Sequence, residues 1–95
     1  MAKKIAFSKR AFIDIERITD FNNNRNQSDT YSRKFLTGLN KRLLLLPLQP
    51  ESGIATQRDN TRLLIWDQFY IFYGEDDNSI EIKSIYHQKE NVVTR

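Results

Sequence analysis

The chain has 95 residues, of which 39% are hydrophobic and 28% are charged, and it carries a net charge of +3 with no cysteine. This length predicts a single domain over residues 1–95, and the lack of cysteine excludes disulfides and thiolate metal sites. No apolar run approaches the ~20 residues of a membrane-spanning helix, and no apolar segment follows the basic start as it would in a signal peptide. We therefore expect a cytoplasmic protein that does not contact the membrane.

The charges are unevenly distributed along the chain. Residues 1–60 hold 11 Lys and Arg against 6 Asp and Glu, a net of +5, whereas residues 61–95 hold 4 against 6, a net of −2. Basic charge favours acidic partners. A surplus of +3 over the whole chain is nevertheless small for a dedicated nucleic-acid-binding domain.

The N-terminal part of the chain predicts a short strand and an amphipathic helix. Lys3–Phe7 is a strand candidate whose shortness and lysines suit a sheet edge. Ser8 is a helix N-cap, and apolar residues at helical spacing predict a helix over about residues 8–22. Its apolar stripe is Ala11, Phe12, Ile15, Ile18 and Phe21, and its polar side is Asp14, Glu16, Arg17 and Asp20. The Asn-rich stretch 22–26 is expected to end it.

A second amphipathic helix is predicted to begin with Ser28 or Asp29 as its N-cap. It is predicted to end at Pro47, which lacks an N–H and disfavours helical dihedrals in the residue before it. Its apolar stripe is Tyr31, Phe35, Leu36, Leu39, Leu43 and Leu46. The polar link between the helices is short, so an antiparallel helix hairpin is expected. The following segment, 47–60, has few apolar residues, and such long connections are typical of functional or mobile loops.

Three strands are predicted in the C-terminal third, at Arg62–Trp66, Phe69–Tyr73 and Ile80–Tyr86. Asp67-Gln68 is a tight hairpin link, and the polar stretch 74–79 is a looser turn. The order strand, helix, helix, strand, strand, strand predicts a two-layer α+β fold. A helix hairpin packs on one face of a small, largely antiparallel sheet, and the other face is left for solvent or a partner.

The last predicted strand has two different faces. Along it, Ile80, Ile82, Ser84 and Tyr86 alternate with Glu81, Lys83, Ile85 and His87. Period-two alternation therefore places His87, the only histidine, on a mainly polar face and Tyr86 on the mainly apolar one. The polar tail, 88–95, is expected to fray.

Several residue patterns follow one another in a fixed order along the chain. They are an aromatic-Ser helix start with Asp14-Ile15 inside the helix, a leucine run ending at Pro47, Gly53, Arg62 at a strand start, Tyr70–Tyr73, and Ile82–His87. In this order and spacing the chain resembles the RelE/ParE superfamily of bacterial toxins from type II toxin–antitoxin pairs. The proline-to-glycine spacing is longer than the family's, and the tyrosine strand is slightly shifted.

The resemblance implies a toxin that a cognate antitoxin holds inactive in a hetero-oligomer, by pairing with a sheet edge or lying across the helix hairpin. It implies no cofactor and no metal. A ParE-like member blocks DNA gyrase and is not an enzyme. We favour this alternative for two reasons. The helix hairpin is long, and the strand region has a net charge of −2, which disfavours binding of an RNA backbone.

The alternative is a RelE-like, metal-independent endonuclease that cuts mRNA on the ribosome. There the 2′-hydroxyl attacks the adjacent phosphate, which requires a base, an acid and cations. The candidate residues are His87 as acid or base, Arg62 as a phosphate clamp, and Tyr86 as a stacking group or proton donor. Further positive charge comes from Lys83, Arg58 and Lys89.

A third alternative is a non-catalytic protein-binding module on the same fold. The sequence has no P-loop, dinucleotide glycine pattern or Ser/His/Asp spacing, and one histidine without cysteine does not suit zinc. Glu75, Asp76 and Asp77 are interpreted as a solvated turn and not as a cation site. The strand aromatics are interpreted mainly as core and strand-pairing residues and not as a surface that stacks bases.

Overall fold

The structure is a computed structural model that describes residues 3–26 and 30–89, with the side chains of residues 3–20 and 30–89. In chain order the elements are β1 (Lys4–Phe7), α1 (Lys9–Asn26), α2 (Thr30–Leu43), β2 (Ile54–Ala55), β3 (Arg62–Trp66), β4 (Phe69–Glu75) and β5 (Ser79–His87). Both helices pack on one face of a five-stranded sheet. This confirms the predicted two-layer α+β fold, with one additional short strand, β2.

The strands lie in the order β1-β5-β4-β3-β2. Strand β1 is at an edge, as predicted, and runs parallel to β5, whereas the other three pairings are antiparallel. The two-residue link between β3 and β4 is also as predicted. Asp67 within it has a φ of 54°, a left-handed conformation that aspartate tolerates better than most residues.

A β-bulge interrupts the pairing of β4 with β5. Tyr73 lies opposite Ile82, but the preceding residue, Phe72, lies opposite Ser84. Lys83 is therefore the extra residue in β5. Because side chains alternate between the two faces of a strand, one inserted residue reverses the alternation of everything that follows.

The bulge corrects the predicted face of His87. Ile85, expected on the polar face, is fully buried together with Ile80 and Ile82. His87 lies opposite the buried residue Phe69, so its side chain is on the helix side of the sheet.

The core lies between the helices and the sheet. Phe35 of α2 packs on the rings of Phe69 and Trp66, at centroid distances of 4.7 and 6.1 Å. Gly38 permits this approach, because a Cβ there would lie 2.8 Å from the Trp66 ring. The buried apolar residues are Ala11, Ile18, Phe35, Leu39, Leu43, Leu46, Leu64, Phe69, Ile71, Tyr73, Ile80, Ile82 and Ile85. Burying each large side chain contributes about 1.5–3 kcal/mol.

Helix α1 begins as predicted and extends further. The Ser8 hydroxyl accepts a hydrogen bond from the Ala11 N–H at 3.0 Å, which confirms the N-cap. The helix continues through the Asn-rich stretch to Asn26, because each asparagine costs an established helix only up to about 0.7 kcal/mol. The predicted apolar stripe is partly wrong, since Phe12 is 58% exposed and Asp14 is fully buried.

Helix α2 ends at Leu43 and not at Pro47. Beyond it the Leu46 N–H donates to the Leu43 carbonyl three residues back, and this tighter turn still buries Leu46. Two residues of the predicted stripe are exposed, Tyr31 at 59% and Leu36 at 43%. Neither described helix is long and apolar enough to cross a membrane. The predicted side-chain position of Phe21, the caps Ser28 and Asp29, and the tail 90–95 lie outside the described residues.

The connecting segment, residues 47–60, is folded against the sheet. It contains β2, which pairs with β3. The buried Tyr73 hydroxyl donates to the Pro50 carbonyl at 2.7 Å and accepts from the Gly53 N–H at 2.9 Å. A Cβ at Gly53 would lie 2.7 Å from the Tyr73 ring, so this approach requires glycine. The segment therefore covers part of the sheet and contains a short strand, β2, that the sequence pattern did not predict.

Candidate functional site

His87 lies at the end of β5 with both ring nitrogens engaged. Its ring stands edge-on to Phe69, with 5.1 Å between centroids. Nδ1 accepts a hydrogen bond from the Lys89 N–H at 3.0 Å, so Nε2 carries the proton and donates to Oε1 of Gln68 at 3.1 Å. This arrangement suits a structural role for His87 at the strand end.

Tyr86 lies on the other face of the sheet from His87. It is opposite Tyr70, and its ring stands edge-on to Phe72 at 6.2 Å. The guanidinium group of Arg17 reaches past the edge of β5 and lies 5.7 Å from the Tyr86 ring centroid. Tyr86 and His87 therefore do not act on one substrate atom from the same side of the sheet.

Arg62 and Lys83 are hydrogen-bonded to the connecting segment and to Thr61, which joins that segment to β3. Nη1 of Arg62 donates to the Gly53 carbonyl at 2.9 Å. Nζ of Lys83 donates to the Asn60 carbonyl at 3.0 Å and to Oγ1 of Thr61 at 2.9 Å. Within the described part of the chain, neither cation pairs with a carboxylate.

The four predicted catalytic residues fall into separate places. Arg62 lies opposite Tyr73 of β4, whereas His87 lies opposite Phe69 of the same strand. Four residues of a strand span about 13 Å. The sheet thus brings Arg62 and Lys83 to one end and leaves His87 and Tyr86 at the other, on opposite faces.

A pair of α1 residues missed by the sequence interpretation binds the edge of β5. Oδ2 of Asp14 accepts the Ile85 N–H at 3.0 Å, and Nη2 of Arg17 donates to the Ile85 carbonyl at 3.1 Å. Asp14 also pairs with Arg17 at 2.5 Å and with Arg10 at 3.2 Å. These side chains replace the neighbouring strand where β1 has ended. The sequence did contain a signal that Asp14 is buried, because it lies three residues after Ala11 and four before Ile18, on the same side of the helix.

The acidic turn between β4 and β5 is internally satisfied. Oδ1 of Asp76 accepts the backbone N–H of Asn78 at 2.9 Å and that of Ser79 at 2.7 Å. These backbone hydrogen bonds, with one from the Ser79 hydroxyl and the charge of Lys3, hold the pKa of Asp76 below its ordinary value. Glu75 pairs with Lys3 at 2.9 Å. Among residues 3–26 and 30–89 no group of three His, Asp or Glu is placed to hold a metal ion.

The sheet face opposite the helices is apolar and aromatic, and we call it the open face. The strand registers align on it Ile54, Leu63, Ile65, Tyr70, Phe72 and Tyr86. Ile54 and Ile65 are 59% and 54% exposed. Contiguous exposed apolar surface of this kind is typical of protein–protein contacts. The open face is therefore the candidate binding site.

Two helices on one face of this five-stranded sheet define a small α+β fold, and comparison with known proteins identifies its family. The family model described as "ParE toxin of type II toxin-antitoxin system, parDE" matches residues 5–92, so the chain belongs to the ParE toxin family. This confirms the predicted membership of the RelE/ParE superfamily. The comparison with curated proteins gives no match.

Several solved structures share the fold at low sequence identity. A chain of the chromosomal ParDE system from P. aeruginosa matches with a TM-score of 0.74 and 14% identity, over 90% of this chain and 96% of that one. The YoeB dimer from Staphylococcus aureus matches with a TM-score of 0.61 and 22% identity, over 92% of this chain and 99% of that one. A chain of the E. coli DinJ–YafQ complex matches with a TM-score of 0.57 and 10% identity, over 92% of this chain and 93% of that one. At these sequence identities the similarity shows a shared fold and nothing more.

Proposed function

We propose that this ParE-family toxin arrests growth by binding DNA gyrase and is neutralised by a cognate antitoxin. The observation that carries the proposal is the distance of about 13 Å along the sheet between His87 and Arg62. Cleavage of RNA needs a base, an acid and cations around one phosphate. Inhibition by binding a protein needs no such cluster.

The open face supports a protein target over a nucleic-acid one. Its centre is formed by aliphatic and aromatic side chains, and residues 61–95, which supply most of it, carry 4 basic against 6 acidic residues. A phosphate backbone is bound mainly through Lys and Arg, whereas a protein surface is bound through buried aromatic and aliphatic anchors. We therefore assign gyrase binding to this face.

The antitoxin in this proposal is supported by two of the solved relatives. One belongs to a ParDE system, and E. coli YafQ was solved in complex with DinJ. We propose a corresponding hetero-oligomer in the cytoplasm, in which the antitoxin covers the apolar residues that the helix hairpin exposes. They are Phe12, Ile13, Tyr31 and Leu36.

A supercoiling assay tests the target. Purified toxin is added to gyrase, relaxed plasmid and ATP, and in parallel to ribosomes translating a reporter mRNA. We expect supercoiling to stop while the mRNA stays intact. Ile65→Glu, on the open face, should abolish inhibition because it places a charge in an apolar contact. Ile13→Glu on α1, at a similarly exposed site, is the matched control and should inhibit normally.

Each of the other results selects a different function. Cleaved mRNA with normal supercoiling would replace gyrase with the mRNA alternative. No effect in either assay, together with no growth arrest on induction, would favour the non-catalytic binding module. Equal inhibition by the Ile65→Glu and Ile13→Glu variants would remove the open face from the proposal.

A further inference from the structure

A cavity of about 250 Å³ lies where the connecting segment meets the ends of β3 and β4, and it contains two arginines. Arg62 uses Nη1 on the Gly53 carbonyl, which leaves its other N–H groups for a ligand. Arg58 is exposed, and its backbone N–H donates to Oγ1 of Thr56. Neither guanidinium group pairs with a carboxylate of the described residues. Two uncompensated guanidinium groups in one cavity form a site for an oxyanion.

A second cavity, of about 520 Å³, adjoins the first and has the opposite charge. The two share Pro50 and Glu75 in their walls. Glu75 is paired with Lys3 at 2.9 Å, whereas Glu51 is exposed in the second cavity. Leu48, 71% exposed, lies in the same wall. A ligand that spans both cavities therefore meets cations first and then an apolar side chain beside a carboxylate.

We propose that the two cavities bind a segment of a partner polypeptide, with one acidic side chain between Arg58 and Arg62 and a neighbouring apolar side chain on Leu48. A carboxylate fits a guanidinium group through two parallel hydrogen bonds. A nucleic-acid strand fits poorly, because Glu51 repels the phosphate that follows the first. The proposal does not depend on which target the toxin inhibits.

The experiment is an NMR titration of the ¹⁵N-labelled chain with three probes. They are acetyl-Leu-Glu-Leu-amide, acetyl-Leu-Gln-Leu-amide and the nucleotide pUpU, whose two phosphates allow the second to meet Glu51. We expect the Glu peptide to shift the amide signals of residues 48–62 and to bind about tenfold more tightly than the Gln peptide, since a charge-assisted hydrogen bond is replaced by a neutral one. We expect the nucleotide to bind more weakly than the Glu peptide.

Matched variants assign the carboxylate to the cavity. Arg58→Gln should remove the preference for Glu over Gln without unfolding the chain, because only the exposed side chain changes. Lys41→Gln removes an exposed cation from α2 and should leave the preference intact. Equal affinities for the two peptides, shifts centred elsewhere, or an unchanged preference in the Arg58→Gln variant would overturn the proposal. Tighter binding of the nucleotide would also overturn it and would make the cavity a phosphate site.

Discussion

Asp14 shows how one buried carboxylate joins two layers of the fold. Asp14 is fully buried, although its sequence position predicted it on the polar side of α1. Its oxygens accept the Ile85 N–H and pair with Arg10 and Arg17. A buried carboxylate with three partners is stable, whereas removing it leaves the Ile85 N–H without its acceptor and takes a carboxylate away from both Arg10 and Arg17.

Replacing this residue should therefore be costly. We expect Asp14→Ala to lower the free energy of unfolding by about 3 kcal/mol, measured by urea denaturation. Asp14→Asn should lose less, because its amide oxygen still accepts the Ile85 N–H. Asp20→Ala, at an exposed position of the same helix, is the control and should change stability by at most about 0.5 kcal/mol. Similar losses at both positions would contradict this role.

The Asp76 turn makes a prediction about acid stability. The pKa of Asp76 is below its ordinary value of 3.8, chiefly because the Asn78 and Ser79 N–H groups donate to it. A lowered folded-state pKa stabilises the fold above pH 3.8, and this contribution is lost as the pH falls through the folded-state pKa. Asp76→Asn should thus be less stable than wild type at neutral pH but lose less stability on acidification.

The measurement is urea denaturation of wild type and variants at neutral pH and at about pH 2.5. Asp77→Asn is the control, because this neighbouring carboxylate accepts no hydrogen bond in the described residues. If the free energy of unfolding depends on pH in the same way for the Asp76→Asn and Asp77→Asn variants, the hydrogen bonds to Asp76 do not stabilise the fold as proposed.

Among the elements, the connecting segment depends on one hydroxyl of β4. The buried Tyr73 hydroxyl is a donor to Pro50 and an acceptor for Gly53. We expect Tyr73→Phe to lower the free energy of unfolding by about 1–3 kcal/mol, because both backbone groups lose a partner. Hydrogen exchange at the Gly53 amide should accelerate even under native conditions.

A second tyrosine of the same strand is the control for this change. Tyr70 lies on the open face and is only partly buried, so Tyr70→Phe should leave stability within about 0.5 kcal/mol of wild type. Unchanged exchange at Gly53 in the Tyr73→Phe variant would show that the segment is held by packing and β2 pairing alone.

For the whole molecule, the separation of charged and titratable groups argues for action by binding. His87 is hydrogen-bonded to Gln68 and Lys89 at one end of the sheet, and Arg62 is bound to the connecting segment at the other. On the proposed function, we expect His87→Ala to arrest growth as wild type does when induced without antitoxin. Colony counts, toxin levels and reporter mRNA integrity are the measurements. Loss of arrest by a folded, normally expressed His87→Ala protein would restore a catalytic role for this residue.

Local chemistry made much of this fold predictable. The Ser8 cap, the link at Asp67 and the bounds of β3 follow from residue types that act on their immediate neighbours. Helix ends were less predictable. The tight turns after Leu43 depend on burying Leu46 against the sheet, which no local preference expresses.

The sequence by itself determined the order of every element except β2, the two-layer architecture and the resemblance to a toxin family, because periodicity and capping are local properties. Only the tertiary structure decided the positions of the candidate site residues. The bulge at Lys83 exists only when β4 and β5 are paired, and it moves His87 to the helix side. Asp14 is buried only because the edge of β5 lies beside it. The face of His87 and the burial of Asp14 both depend on contacts between residues that are distant in the chain.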